Sequence, residues 1–218
     1  MNTNRKIPSG LIALKSIVEG TSDHTGQEFF QLLVKNLSQV LDVHGVWITE
    51  YLKESNELRA LAFWLGGHFV KEYKYKVKNT PCEPVVNSRD ICHIPDKVIE
   101  LFPKDPDLDK LNAVSYMGIS IKDINGEVVG HLAMLDNKPM EEIPEAMAIF
   151  RIFAARATAE MRRLRATILL EDSERKLKRV FNGKHTILYW MVHVFSLQIT
   201  SDLYYSVISF RNMDQSIN

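Results

Sequence analysis

Apolar residues in this chain recur first with a helical period and then with a strand period. After Thr25, the residues Phe30, Leu33, Leu37 and Val40 fall three and four apart, with Lys35, Asn36 and Gln39 opposite them, so they share one face of a helix. Thr25 and Glu28 have capping-box spacing, in which hydroxyl and carboxylate each satisfy a free amide. Asp42 is placed to end this helix. Residues 43–52 and 58–65 then turn rich in β-branched and aromatic side chains and predict a first hairpin through residues 53–57. Gly66-Gly67 breaks its second strand. The Lys/Tyr alternation of residues 72–77 predicts a solvated edge strand whose lysines discourage further pairing. Thr80 and Glu83 form a second capping box with Pro81 at the first helical position, so a short helix starts there. Residues 91–94 predict a brief strand, and residues 95–111 an irregular segment with one or two short helices.

Two strand-like runs flank Asn125-Gly126, the strongest short-range signal for a two-residue hairpin, whose corner needs positive φ at both positions. Counting outward, Ile124 faces Glu127, and Ile121, Ile119 and Met117 oppose Gly130, Leu132 and Met134 on one apolar face. Tyr116, Gly118 and Ser120 oppose Leu135, Ala133 and His131 on the other face, which is small-residued and partly polar. Beyond Pro139 a long helix is predicted over residues 144–181. In it Met147, Phe150, Ala154, Ala157, Met161, Leu164 and Ile168 repeat as a coiled-coil seam. Leu170, Ser173, Leu177 and Val180 continue on a displaced register, as after a stutter. Residues 154–159 are small enough to pack on the sheet, whereas beyond Arg162 a partner helix is favoured.

Together these elements predict an α+β fold: an antiparallel sheet with helices on one face, a loop and short-helix lid on the other, and a long C-terminal helix. The chain divides into an N-terminal helix (residues 9–19) and link over 1–24, a core over 25–143, the helix over 144–181 and an atypical tail over 182–218. The 218 residues carry 45% hydrophobic and 25% charged side chains, an ordinary globular balance. Lys plus Arg equals Asp plus Glu at 27 each, so no global field attracts nucleic acid or acidic lipid. Two cysteines cannot build a disulfide framework and point to the reducing cytosol. The amino terminus lacks a signal-peptide cleavage site, and the apolar residues 187–197 are too few to span a bilayer.

The pieces EFFQLLVKNLSQVLDV, LRALAFWLGG, NTPCEPVV, ICHIPDKVIELFPKDPDL, SYMGISIKDINGEVVGHLAMLDNKP and IFRIFAARATAEMRRLR resemble, in order and spacing over residues 21–164, the GAF domains found upstream of PAS modules in bacterial sensor histidine kinases. LLEDSERKLKRVF resembles the helix that leads into a PAS domain; the residues after Phe181 do not look like a PAS core. The resemblance implies a sensory role without catalysis, a small ligand, and a homodimer formed through the C-terminal helix. It does not identify a cofactor. The motif of cyclic-nucleotide-binding members is not matched, because Asn137-Lys138 runs into Pro139.

Phe63, Trp64, Tyr116, Ser120 and His131 supply an aromatic wall with a few polar groups, the composition of a small-molecule pocket. Cys82 and Glu83 join them at the start of the short helix, whose dipole favours a thiolate at Cys82. The plain alternatives are core packing for Phe63 or Trp64, a small buried side chain for Cys82, and a buried hydrogen-bonded pair for His131 and Ser120. Cys92-His93 matches the pair that carries chromophore in bilin-binding GAF domains, but here it sits in a strand, with Pro95 close behind. Cys82, Cys92, His93 and His131 include no pair with metal-ligand spacing. Asp105, Asp107 and Asp109 lack the glycine and terminal glutamate of a calcium loop and read as solvated. Two other functions stay open: a ligand-free dimerisation spacer, and a redox protein of the methionine sulfoxide reductase kind using Cys82.

Overall fold

The computed structural model describes Lys15, residues 24–88 and residues 91–214, with side chains as far as residue 179 except that of Ser88. The predicted helix at residues 9–19 therefore lies outside the described residues apart from Lys15. The elements are α1 (Gly26–Leu41), β1 (Gly45–Leu52), β2 (Glu57–Leu65), β3 (His68–Phe69), β4 (Lys74–Lys76), α2 (Cys82–Ser88), β5 (Ile91–Ile94), α3 (Val98–Leu101), β6 (Ser115–Lys122), β7 (Val128–Asp136) and α4 (Pro144–Asp214). One antiparallel sheet runs in the order β3-β2-β1-β7-β6-β5, and β4 also pairs with β2. α1 and the first turns of α4 cover one face, and α2 covers part of the other.

The helix-covered face is an aliphatic and phenylalanine core. Val46 and Ile48 of β1, Met117 and Ile121 of β6, and Leu132 and Met134 of β7 meet Phe30, Leu33 and Leu37 of α1 and Phe150, Phe153, Ala157 and Met161 of α4. Gly130 lies where β1 and α4 converge: a methyl group there would come within 2.0 Å of the Thr49 carbonyl oxygen and 3.1 Å of Met161 Cε. The predicted seam positions Phe150, Ala154, Ala157 and Met161 are thus spent on the chain's own sheet. One compact unit ends at Leu164 and a second begins at Arg165. In the second, Ile168, Leu169, Leu170 and Leu177 are more than 60% exposed on a single chain. The predicted helix end near residue 181 is passed, and the backbone stays helical to Asp214. No proline intervenes, and the one glycine, Gly183, costs a helix only about 1 kcal/mol. Among the described residues no helix is long and apolar enough to cross a membrane.

The β6–β7 register is the predicted one from Tyr116–Leu135 through Ile121–Gly130. The corner is not. Gly126 has φ +80° and Asn125 is not in the left-handed region, so the two-residue turn gives way to a longer one with a register shift after Ile121. The Asp123 carboxylate drives this choice, its Oδ1 accepting from the amides of Asn125 and Glu127, both at 2.9 Å. Ile124, left at the tip, is 83% exposed instead of facing Glu127 across a ladder.

The Thr25–Glu28 capping box also fails to form. Thr25 makes no side-chain cap, and Glu28 pairs with His24 at 3.2 Å. The amide of Gly26 donates instead to Glu160 Oε1 of α4 at 2.7 Å. Glu160 is itself gripped by Arg163 Nε and Nη2 at 2.8 and 2.7 Å, and these bonds hold its carboxyl below the usual carboxylate range. The capping logic is intact, but the carboxylate comes from the far end of the domain.

Candidate functional site

The other face of the sheet is covered by α2, the β4 segment and the loop around α3. Alternation on the strands sends Trp47, Thr49 and Tyr51 of β1, Phe63 of β2, Tyr116 and Gly118 of β6, and His131, Ala133 and Leu135 of β7 to this side. Trp47 stacks against Phe63 at 5.3 Å and Tyr116 at 6.1 Å between ring centres. Tyr73 and Tyr75 turn inward from the covering segment, with Tyr73 at 5.0 Å from Phe63. Residues 72–77 are therefore a solvated edge only on their lysine side; the tyrosines roof the aromatic cluster.

A polar chain threads this cluster. Trp47 Nε1 donates to the Tyr75 hydroxyl at 2.9 Å, that hydroxyl lies 3.2 Å from Cys82 Sγ, and the Tyr116 hydroxyl donates to the same sulfur at 3.4 Å. Cys82 does open α2, with its amide on Thr80 Oγ1 at 3.3 Å. Burial nevertheless outweighs the helix dipole and pushes its thiol up to about 11, so it is a protonated thiol at neutral pH and not the thiolate the helix position predicts. Glu83 caps the amide of Asn79 at 2.8 Å, one residue earlier than its capping-box partner Thr80. Cys92, half-buried, stands opposite Gly118, while His93 turns to the other side and donates to the Met140 carbonyl at 3.0 Å. Among the described residues no group of three His, Cys, Asp or Glu could hold a metal ion. Asp107 is not merely solvated, because it accepts from the Tyr73 hydroxyl at 3.1 Å.

His131 is the unusual member. It is fully buried, and its Nδ1 lies 2.6 Å from Thr49 Oγ1 on β1. Half-buried Ser120, its cross-strand neighbour, is not the partner. Nε2 has no hydrogen-bond partner, so whichever way the Thr49 bond runs, this nitrogen is an orphaned donor or acceptor, which burial makes costly. Desolvation lowers the imidazole to about 3, so it is neutral.

Tyr116 lies over Gly118: a methyl there would meet its hydroxyl at 2.2 Å and Val85 of α2 at 3.0 Å. Side chains thus fill the centre of the covered face. An open cavity of about 210 Å³ lies at one end, lined by Tyr51, Lys53, Val86, Asn87, Glu127 and Val128. Of the residues singled out in the sequence, Phe63, Cys82, Tyr116 and His131 meet in this layer. Trp64 points to the opposite face, against Phe69 at 4.8 Å with Lys35 Nζ 5.4 Å from its ring, and Glu83 lies at the start of α2. Sequence reasoning missed Trp47, Thr49 and Tyr51, although their i, i+2, i+4 spacing on a strand marks one face.

A family model described as "GAF domain" matches residues 25–161. No curated protein sequence matches significantly. Among solved structures, the GAF domain of an Acinetobacter phosphoenolpyruvate-protein phosphotransferase superimposes with TM-score 0.60 at 14% identity, covering 72% of this chain and 96% of that one. The GAF domain of A. aeolicus nlh2, in an inactive state, gives 0.53 at 20% identity, with coverages of 72% and 96%. The chromophore-binding domain of a Stigmatella aurantiaca phytochrome gives 0.54 at 11% identity, with coverages of 73% and 62%. At these identities the likeness is one of fold.

Proposed function

This chain belongs to the GAF domain family, and from that premise we propose that it is the sensory module of a bacterial signal-transduction protein of the two-component kind, working in the cytoplasm. It binds a small ligand at the covered face and passes the event to α4. The observation that carries this reading is His131: a buried imidazole with a free nitrogen, among aromatic rings, under a cover of one two-turn helix and loops. Buried polar atoms are ordinarily paired, so this nitrogen is a hydrogen-bonding position that a ligand or a water can take.

The route outward is physical. Arg162 of α4 donates from Nε to the Lys122 carbonyl at 3.0 Å and from Nη2 to the Asp123 carbonyl at 2.9 Å, so the exit helix holds the β6–β7 turn. A ligand biases the helix only by its difference in affinity for the two arrangements, typically about 1–3 kcal/mol. The exposed Ile168, Leu170 and Leu177 support dimerisation through the part of α4 beyond Leu164, since a lone helix would leave them in water.

A second reading has its own observation: Tyr116 and Val85 already occupy the space over Gly118, as they would in a spacer that only joins two copies. A redox role for Cys82 is weakened by its raised thiol pKa and its two tyrosine neighbours. To test the sensor reading, the full chain would be exposed to the small-molecule fraction of a cell extract and retained masses read by native mass spectrometry. Nitroxides at Glu171→Cys in a C92S background would report the separation between copies. A retained molecule with a changed separation is the expected result. Retention with no change would remove the relay, and no retention would leave the spacer.

A further inference from the structure

We infer that the cavity at the end of the covered face is a binding site for a zwitterionic α-amino acid with a small apolar side chain. The cavity shares the covered face with His131 but is not lined by it, so this site goes beyond the sensor reading above. Three features argue for that ligand class. The walls offer one charge of each sign, Lys53 Nζ and Glu127 Oε2, only 3.7 Å apart and both mostly exposed. An exposed pair at that separation holds itself together weakly, so exchanging it for a ligand carboxylate on Lys53 and a ligand ammonium on Glu127 costs little and forms two charge-assisted bonds. Second, the remaining lining is the Tyr51 ring with Val86 and Val128, an apolar corner for one short side chain, and Asn87 supplies an amide. Third, the volume of about 210 Å³ falls below the roughly 300–1,000 Å³ of sites that hold larger ligands, which favours a small ligand over a nucleotide or tetrapyrrole.

The cavity is also wired to the rest of the domain. Glu127 belongs to the turn whose carbonyls Arg162 holds, and its own amide is fixed by Asp123 Oδ1. Val86 and Asn87 are on α2, the lid helix whose Val85 packs over Gly118 and Tyr116. An occupant bridging Lys53 and Glu127 therefore touches both the lid and the turn that α4 grips.

Isothermal titration of the full chain with L-valine, N-acetyl-L-valine and L-valinamide tests the assignment, since each derivative lacks one of the two charges. Valine is expected to bind, and each derivative to bind at least tenfold more weakly. K53M should remove the penalty for losing the carboxylate and E127Q that for losing the ammonium, each weakening valine about tenfold, while K76M on the edge strand leaves binding unchanged. All three positions are surface residues, so their variants test binding and not folding. Equal binding of valine and either derivative, or valine affinity indifferent to K53M and E127Q, would overturn the assignment. So would failure of valine, alanine and leucine to bind at all. If a different retained molecule still moved the helix, the ligand class would fall and the sensor reading would stand.

Discussion

The two faces of the sheet are both buried, yet they are made of different chemistry. Under α1 and α4 the contacts are Leu, Ile, Val, Met and Phe. Under α2 aliphatic residues such as Leu58, Val85 and Leu135 are joined by Trp47, Phe63, Tyr73, Tyr75 and Tyr116, laced with a thiol, a threonine hydroxyl and an imidazole. The first face gains hydrophobic free energy with little polar cost. The second buries polar atoms, one of them unpaired, and a short cover closes it. The two sides of the same strands thus differ in how much polar surface they bury, and the proposed ligand site is on the more polar side.

Substitutions can break that comparison. Phe150→Ala, fully buried under α4, should cost about 3–5 kcal/mol in urea unfolding at unchanged m-value. Tyr116→Phe, equally buried on the other side, removes only the bond to Cys82 and should cost about 0.5–1.5 kcal/mol. Equal losses would mean that the faces are not divided as described.

His131 sharpens it with pH. Its folded value of about 3 lies below the ordinary imidazole value of about 6.5, so the unfolded chain binds the extra proton. Its neutral form favours folding above the unfolded value, and stability falls as the pH drops below that value toward 3. Between pH 7 and 5 the loss should reach roughly 2 kcal/mol, and His131→Phe should flatten that part of the profile. An unchanged slope in the variant would place the titration elsewhere.

Glu160→Ala strips α1 of its cap and should cost about 0.5–2 kcal/mol by thermal or chemical unfolding. Because bonds lower its carboxyl, that contribution is present above the unfolded value and disappears as the pH falls through the folded one. The smallest expected change is Arg162→Ala, within about 1 kcal/mol in stability. It should speed amide exchange in residues 123–127 while leaving ligand affinity within threefold; normal exchange would mean that Arg162 does not hold the turn.

Much of the fold was legible locally. The alternation in residues 115–122 and 128–136 is a period-two pattern between turn residues, and it specified the six observed pairs from Tyr116–Leu135 to Ile121–Gly130. The apolar stripe of α1 and its end at Asp42, with φ 51°, follow from helical spacing in the same way. The candidate site was legible only in part. Tyr116, Phe63 and His131 were found, but pairing of β1 beside β7, which brings Thr49 to His131, joins residues 82 apart.

The tertiary structure alone decided which partner each group took. Thr25 and Glu28 had the right spacing for a cap, but Glu160, 134 residues from Gly26, reached its amide. The dipole at Cys82 favoured a thiolate, but two tyrosines folded over it and desolvation raised its pKa. The small residues at 154–159 already suited the sheet, and the folded chain extended that packing from Phe150 to Met161. Periodicity determines which side of an element is apolar, because that depends only on neighbours along the chain. What that side meets depends on which surfaces the folded chain brings within a few ångströms, where burial and hydrogen-bond geometry outweigh local preference.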